Sequence, residues 1–439
     1  MCRSPFFLAA LAMPIALSSA TAVAQTVGPT YQPDSGTVAV HCGQLIDGFS
    51  DAAMPGMTVV IESGRVARIV DSKSHDGPSL DLSDKTCLPG LIDTHTHIAE
   101  EDEVGDLARF YTMSREENLA AGRRNAQTTL HAGFTTARNL GSYIGWAARD
   151  LRDGINSGKF VGPRLQVAGF YLTVPAGGGD LVIPGYDEQQ IPQHLRMGVS
   201  RDTGEFRRNA QKAVDGGAGV LKLIASGAVL AFGGVPGAPE MTEEQIRAVV
   251  DVGHAAGLKV TAHAHGAQSI KDSINAGVDS IEHASLADDE AIALAVENQV
   301  AFSMDVYNGD YIATAGVEQG WPDEFIRKNN ETTEAQRQVF SKAYRAGVPI
   351  IYGTDSGVYP HGDNARQFVI MVERGMSAMD AIKSATSLAA HHMGWSGDVG
   401  ALEPGRYGDL IAVEGDPLDD ISLLQAVDVV IKGGLIFKQ

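Results

Sequence analysis

Basic residues are scarce: 34 Lys and Arg face 54 Asp and Glu, which leaves a formal net charge of −20 over 439 residues. That balance excludes non-specific nucleic-acid binding, which depends on cations neutralising phosphates. Long apolar runs are missing after the first two dozen residues, so no later stretch reads as a membrane span. No Gly-x-Gly-x-x-Gly turn follows a strand-like segment. Its absence removes the main reason to favour a doubly wound dinucleotide-binding sheet. Cysteine occurs three times, at Cys2, Cys42 and Cys87.

The first segment contains one of these cysteines. Arg3, an apolar run from Phe6 to Leu17 and Ala22-Val23-Ala24 before Gln25 read as a secretory leader over residues 1–24. Pro14 breaks the run, which is shorter than the ~20 residues a span requires. Cys2 precedes the run, so a lipid anchor is not expected. Leader removal leaves Cys42 and Cys87 in a secreted or periplasmic chain. A disulfide between them and two buried free thiols in neighbouring strands are both open readings.

Hydrophobic residues make up 44% and charged residues 20%, enough for a large core. Residues 37–88 show short apolar strands with turn breaks, as in Met57-Thr58-Val59-Val60-Ile61 before Glu62-Ser63-Gly64-Arg65. Residues 398–439 share this texture, so both chain ends are expected to build one small β-sandwich module. Between them, over 89–397, helix, glycine and buried strand recur. Gly133, Gly219, Gly257, Gly277 and Gly347 each precede a strand, since glycine accepts the left-handed conformation that ends a helix. About eight such strands are expected, the count of a (β/α)8 TIM-like barrel.

Barrel enzymes place their chemistry where strands end. His95 and His97 leave the first strand with side chains on one face, because the strand repeat is two. His263, His283 and Asp355 stand at three further strand ends. Imidazole and carboxylate together suit zinc or a neighbouring divalent ion. Lys222 sits inside Val220-Leu221-Lys222-Leu223-Ile224, where an unpaired ammonium is costly, so it needs a partner or a modification. His265, two positions after His263, should face the same way and either contact substrate or support a ligand. His361 lies on the same loop face, with a structural role or a substrate contact open. Long loops carrying Phe170, Tyr171, Tyr307, Tyr311 and Trp321 suggest a lid over an apolar substrate portion, with Tyr307 in contact, or else an interface in a homo-oligomer. Glu100-Glu101-Asp102-Glu103 reads as a solvated acidic run.

These residues resemble a known family. Pro89-Gly90-Leu91-Ile92-Asp93-Thr94-His95-Thr96-His97, Leu221-Lys222-Leu223-Ile224-Ala225-Ser226-Gly227, His263-Ala264-His265-Gly266, Ile281-Glu282-His283, Gly353-Thr354-Asp355-Ser356-Gly357 and Gly405-Arg406-Tyr407-Gly408-Asp409-Leu410 occur in the order seen in the metal-dependent amidohydrolase superfamily. The chain is most similar to its imidazolonepropionase-related peptidase group, with Xaa-Pro and Xaa-Arg/Lys dipeptidases and ochratoxin-hydrolysing members.

The resemblance implies two divalent ions, zinc first among them. His95, His97 and Asp355 would hold one ion and His263 and His283 the other. Lys222, carboxylated by CO2, would bridge both beside a shared hydroxide. Asp355 would move the water's proton to the leaving nitrogen. The expected substrates are small amides, namely dipeptides, N-acyl amino acids or ochratoxin-type amides. A one-metal cyclic-amide hydrolase or deaminase is disfavoured by Lys222. A non-catalytic secreted binding protein is disfavoured because no ligand is missing.

Overall fold

The computed structural model describes residues 1, 36–74, 79–100 and 105–439. The expected leader beyond Met1, His75 and the acids Glu101, Asp102 and Glu103 lie outside the described residues.

Capping residues and glycines set the helix limits. Ser114 accepts a hydrogen bond from the Glu117 N–H at the start of Arg115–His131, and Glu117 accepts one from the Ser114 N–H in return. Thr242 and Gln245 form the same reciprocal box ahead of Glu243–Ala255. Gly277 and Gly347, at φ 95° and 88°, end the helices Ala267–Ala276 and Asp323–Ala346 before the chain turns into strands.

Among the described residues the strands between these helices are eight: β1 (Leu91–Thr96), β2 (Phe134–Asn139), β3 (Arg164–Val167), β4 (Val220–Ile224), β5 (Lys259–Gly266), β6 (Ser280–Leu286), β7 (Ala301–Ser303) and β8 (Ile350–Ile351). All their pairings are parallel, and they form one sheet in the order β1-β2-β3 and another in the order β8-β7-β6-β5-β4. Every residue of β1, β2, β3 and β4 is buried, as parallel strands covered by helices require. Isolated parallel bridges join the two sheets, Leu172 to Leu223 and Thr96 to Ser356. The main core packs Phe134, Leu221, Val260, Ile281 and Phe302 against the surrounding helices.

The chain ends build a separate seven-stranded sheet in the order Leu435–Lys438, Val429–Lys432, Leu410–Glu414, Leu80–Pro89, Thr37–Leu45, Met54–Glu62, Arg65–Asp71. It has its own core of Val40, Val59, Ile61, Leu82, Leu410 and Ile431. Cys42 and Cys87, on adjacent strands of this sheet, are joined as a disulfide with a Cα–Cα separation of 5.8 Å. Arg164 of β3 pairs with Asp409 at 2.9 Å and lies 3.5 Å over the Tyr407 ring, tying the end sheet to the parallel strands. Among the described residues no helix is long and apolar enough to cross a membrane.

Candidate metal centre

A regular strand sends neighbouring side chains to opposite faces, yet Glu282 and His283 of β6 both reach one buried cluster. The backbone explains this. His283 and Ala284 take left-handed φ values of 71° and 48°, and the pairing of β6 with β5 shifts register between His283 and Leu286. Glu282 therefore keeps the interior face, where it meets Arg138 at 3.1 Å, while His283 is swung round toward His95, their rings 5.1 Å apart. Asp355 also takes a left-handed φ, 57°, just beyond β8. Strain of this kind at non-glycine residues persists where surrounding contacts enforce it. Asp93 supplies some of them, accepting from the N–H groups of His95 and Thr354, both at 3.1 Å, and from Asn364 Nδ2 at 2.7 Å.

The six expected ligands converge on one cavity of about 1130 Å³, counting its space open to solvent. Asp355 Oδ1 lies 3.2 Å from His95 Nε2 and 3.0 Å from His97 Nε2. Ligand atoms of His95, His283 and Asp355 fall within 4.8 Å of one another, and so do those of His263, His265 and His283. Lys222 lies in the same wall, 1% exposed, with no hydrogen-bond partner on Nζ, and His263 Nε2 is likewise without one. Burial pushes the Lys222 ammonium down to about 8.

Partners behind the histidines leave Nε2 as the atom to ligate in four of the five rings. His95 Nδ1 is 2.9 Å from Glu282 Oε2, His97 Nδ1 is 3.0 Å from the Tyr171 hydroxyl, His265 Nδ1 is 2.8 Å from Ser285 Oγ, and His283 Nδ1 is 2.9 Å from Asp305 Oδ1. A carboxylate can only accept, so Glu282 and Asp305 fix the tautomer of His95 and His283, as outer partners do for a metal-binding imidazole. Burial opposes charge on Glu282, but His95 and Arg138 hold its carboxyl well below the usual range. Burial similarly opposes charge on Asp355, and His95 and His97 outweigh it. Burial presses His95 to about 4 and His265 to about 3, so both stay neutral and able to donate a lone pair at neutral pH. Clustered imidazoles, a carboxylate and a partnerless buried amine fit a site for divalent cations.

The three other expected residues do not all line the cavity. His265 belongs to the cluster and stacks on His283, with ring centroids 4.7 Å apart. Tyr307 and His361 are not among the residues lining the cavity. Tyr307 packs edge-on against Tyr359 with centroids 4.9 Å apart, and His361 is buried with its Nδ1 3.5 Å from Thr129 Oγ1. Glu100 is not solvated. It is buried in the cavity wall, accepts a hydrogen bond from the Tyr143 N–H and lies 3.9 Å from His97 Nδ1, and burial raises its carboxyl to about 7. Sequence reading missed Asp305, Glu282 and Asn308 as well. Asn308 Nδ2 donates to both Asp305 Oδ2, at 2.7 Å, and Asp355 Oδ2, at 3.1 Å. Its neighbours on the wall include Leu107, Phe110, Leu230, Ile312 and Val358, an apolar rim beside the polar centre.

Residues 86–436 match the amidohydrolase family. The chain is 31% identical to an ochratoxinase of Aspergillus niger over 379 residues, covering 80% of this chain and 75% of that one. Among solved structures, it is similar to a Xaa-Pro dipeptidase with methionine bound in its active site. That likeness has 35% identity and a TM-score of 0.83, over 92% of this chain and 100% of the other. The crystal structure of A. niger ochratoxinase aligns with 26% identity and a TM-score of 0.81, covering 92% and 96% of the two chains. The chain belongs to the amidohydrolase family and is a hydrolase of amide bonds.

Proposed function

We propose that this protein is a two-metal amidohydrolase that cleaves the amide of dipeptides or N-acyl amino acids, and that its eight parallel strands close into one (β/α)8 barrel over residues 89–397. The two bridges that join the parallel sheets support the closure. In this reading residues 37–88 and 398–439 form the accompanying β-sandwich module, supported by a sheet that draws strands from both.

The observation that carries the proposal is Lys222 Nζ, buried among three acids and five histidines in one wall yet without a hydrogen-bond partner. An amine left so is costly, and its lowered pKa raises the fraction that is neutral and nucleophilic. The neutral amine attacks CO2, a C–N bond forms and one proton leaves, giving an anionic carbamate. That anion would lie between His95, His97 and Asp355 on one side and His263 and His283 on the other. Two divalent ions, zinc by donor type, would when bound lower the pKa of a shared water and polarise the amide carbonyl. Asp355 accepts the proton of the attacking water and returns it to the leaving nitrogen. Asn308, donating to Asp355 Oδ2, holds that carboxylate in line. His265 stands where it can orient the substrate, its Nδ1 engaged by the Ser285 hydroxyl. The apolar rim would receive a bulky side chain or acyl group.

We further propose that residues 1–24 direct export. The Cys42–Cys87 disulfide supports an oxidising compartment. A panel of dipeptides, N-acyl amino acids and one cyclic amide, assayed with zinc present, tests the reaction. Release of a free amino acid from the linear amides is expected. Turnover of the cyclic amide alone would overturn the reading.

A further inference from the structure

Lys328 is 0% exposed, on the helix Asp323–Ala346. A buried ammonium is tolerated when all three N–H groups are taken. Three oxygens lie within reach: Ala231 O at 2.7 Å, Gly233 O at 2.6 Å and Glu324 Oε1 at 2.7 Å. Two of these are backbone carbonyls of the loop between β4 and the helix Glu243–Ala255. The base of that loop is pinned independently, by a Ser226–Pro239 bridge and by hydrogen bonds from Gly227 N–H to Ala238 O at 2.9 Å and from Gly237 N–H to Gly227 O at 3.0 Å. Residues 228–236 form its tip.

The tip has two sides. On one, Ala228, Val229 and Leu230 line the cavity, and Leu230 packs on the cluster of Ile312, Trp321 and Val358. On the other, Val235 is 65% exposed, and Gly233 and Gly234 take left-handed φ values of 70° and 65°. Two contacts keep the tip on the helix: the Lys328 bonds and the Phe232 ring against Phe325, centroids 4.8 Å apart. The same helix supplies Asn329, Thr332, Thr333 and Gln336 to the wall. Tether and wall are therefore one rigid element.

We propose that Lys328 is a positioning residue that fixes this loop as one wall of the apolar rim and so determines how tightly the site holds a bulky apolar substrate. The choice of substrate rests on the amide-hydrolase reading; the tether does not. Lysine suits the task because three rotatable donors on a flexible apolar stem can take two loop carbonyls and one carboxylate together, without a side chain from the tip. Removing it leaves two loop carbonyls without their partner and the tip held only by the apolar contacts of Leu230 and Phe232.

Two variants of the full-length, zinc-loaded protein test this. Lys328→Met keeps the stem and removes the donors; Phe232→Ala removes the second contact without altering the helix. Backbone amides of residues 231–237 should exchange with solvent at least about tenfold faster in both than in the wild type, with metal content unchanged, and thermolysin should cut Lys328→Met there faster by as much. For Lys328→Met, KM for an N-acyl-phenylalanine should rise about tenfold more than KM for the matching N-acyl-glycine, while kcat falls by less than about threefold. Wild-type cleavage rates with unchanged KM would overturn the proposal, as would an equal loss of kcat on both substrates. If the wild type hydrolyses neither amide, the functional reading fails, and the cleavage rates alone decide whether Lys328 holds the loop.

Discussion

His283 Nδ1 lies 2.9 Å from Asp305 Oδ1, and the same oxygen accepts from Gln336 Nε2 at 2.8 Å. The other carboxylate oxygen accepts from Asn308, which also reaches Asp355. Asp305 therefore connects His283, which both close-packed groups share, to the Asp355 carboxylate by way of Asn308. Burial opposes its charge, but the His283 imidazole beside it lowers the carboxyl below its ordinary value.

Asp305→Asn removes the carboxylate charge that holds the proton on His283 Nδ1 and sets an amide donor against the Asn308 Nδ2 donor. Zinc affinity should fall about 10- to 100-fold, the usual cost of losing such a partner. Competition against a chelator of known affinity measures this, and unchanged affinity would remove Asp305 from the account.

The Cys42–Cys87 bond joins two residues 45 positions apart in sequence, on neighbouring strands of the end sheet. Replacing both cysteines by alanine should cost about 2–4 kcal/mol of stability, since the cross-link restricts the unfolded chain. Urea unfolding monitored by far-UV circular dichroism gives the difference. The hydrolytic activity of the folded variant should persist, because neither cysteine lines the cavity.

Lys432 is 2% exposed, and its Nζ donates to Gly162 O. Burial, helped by nearby Arg164, pushes its ammonium down to about 7 from 10.5. Between these values the unfolded chain holds more of the proton than the folded one. Stability is therefore lost as pH falls from about 10 toward 7, and levels off below. Lys432→Met should remove this slope and raise stability at pH 7 by about 2 kcal/mol. Paired melts at pH 7 and pH 9.5 test it: the advantage of the variant should shrink at the higher pH.

The strand ends were legible in the sequence because a glycine closing a helix and a run of buried apolar residues are both local signals. Each of the eight strands was expected from them, and the ligand motifs occupy those strands or the turns just beyond. What was not legible depends on contacts between strands. Glu100 stood in a run of four acids and read as solvent-facing, yet the fold carries it to the Tyr143 N–H and His97. Glu282 offered a signal in retrospect, a carboxylate inside a buried strand next to a histidine, but its partner Arg138 is 144 residues away. The left-handed turn at His283 that brings both side chains into one cluster has no glycine to announce it. Tyr307 was placed by its loop, and the loop turns its ring onto Tyr359.

The central claim is that Lys222 bridges two ions, and the bound-metal stoichiometry of the purified protein and of Lys222→Ala tests it most directly. The account predicts close to two ions per chain in the wild type and fewer than one in the variant. Two ions retained in Lys222→Ala, or a single ion in the fully active wild type, would contradict it.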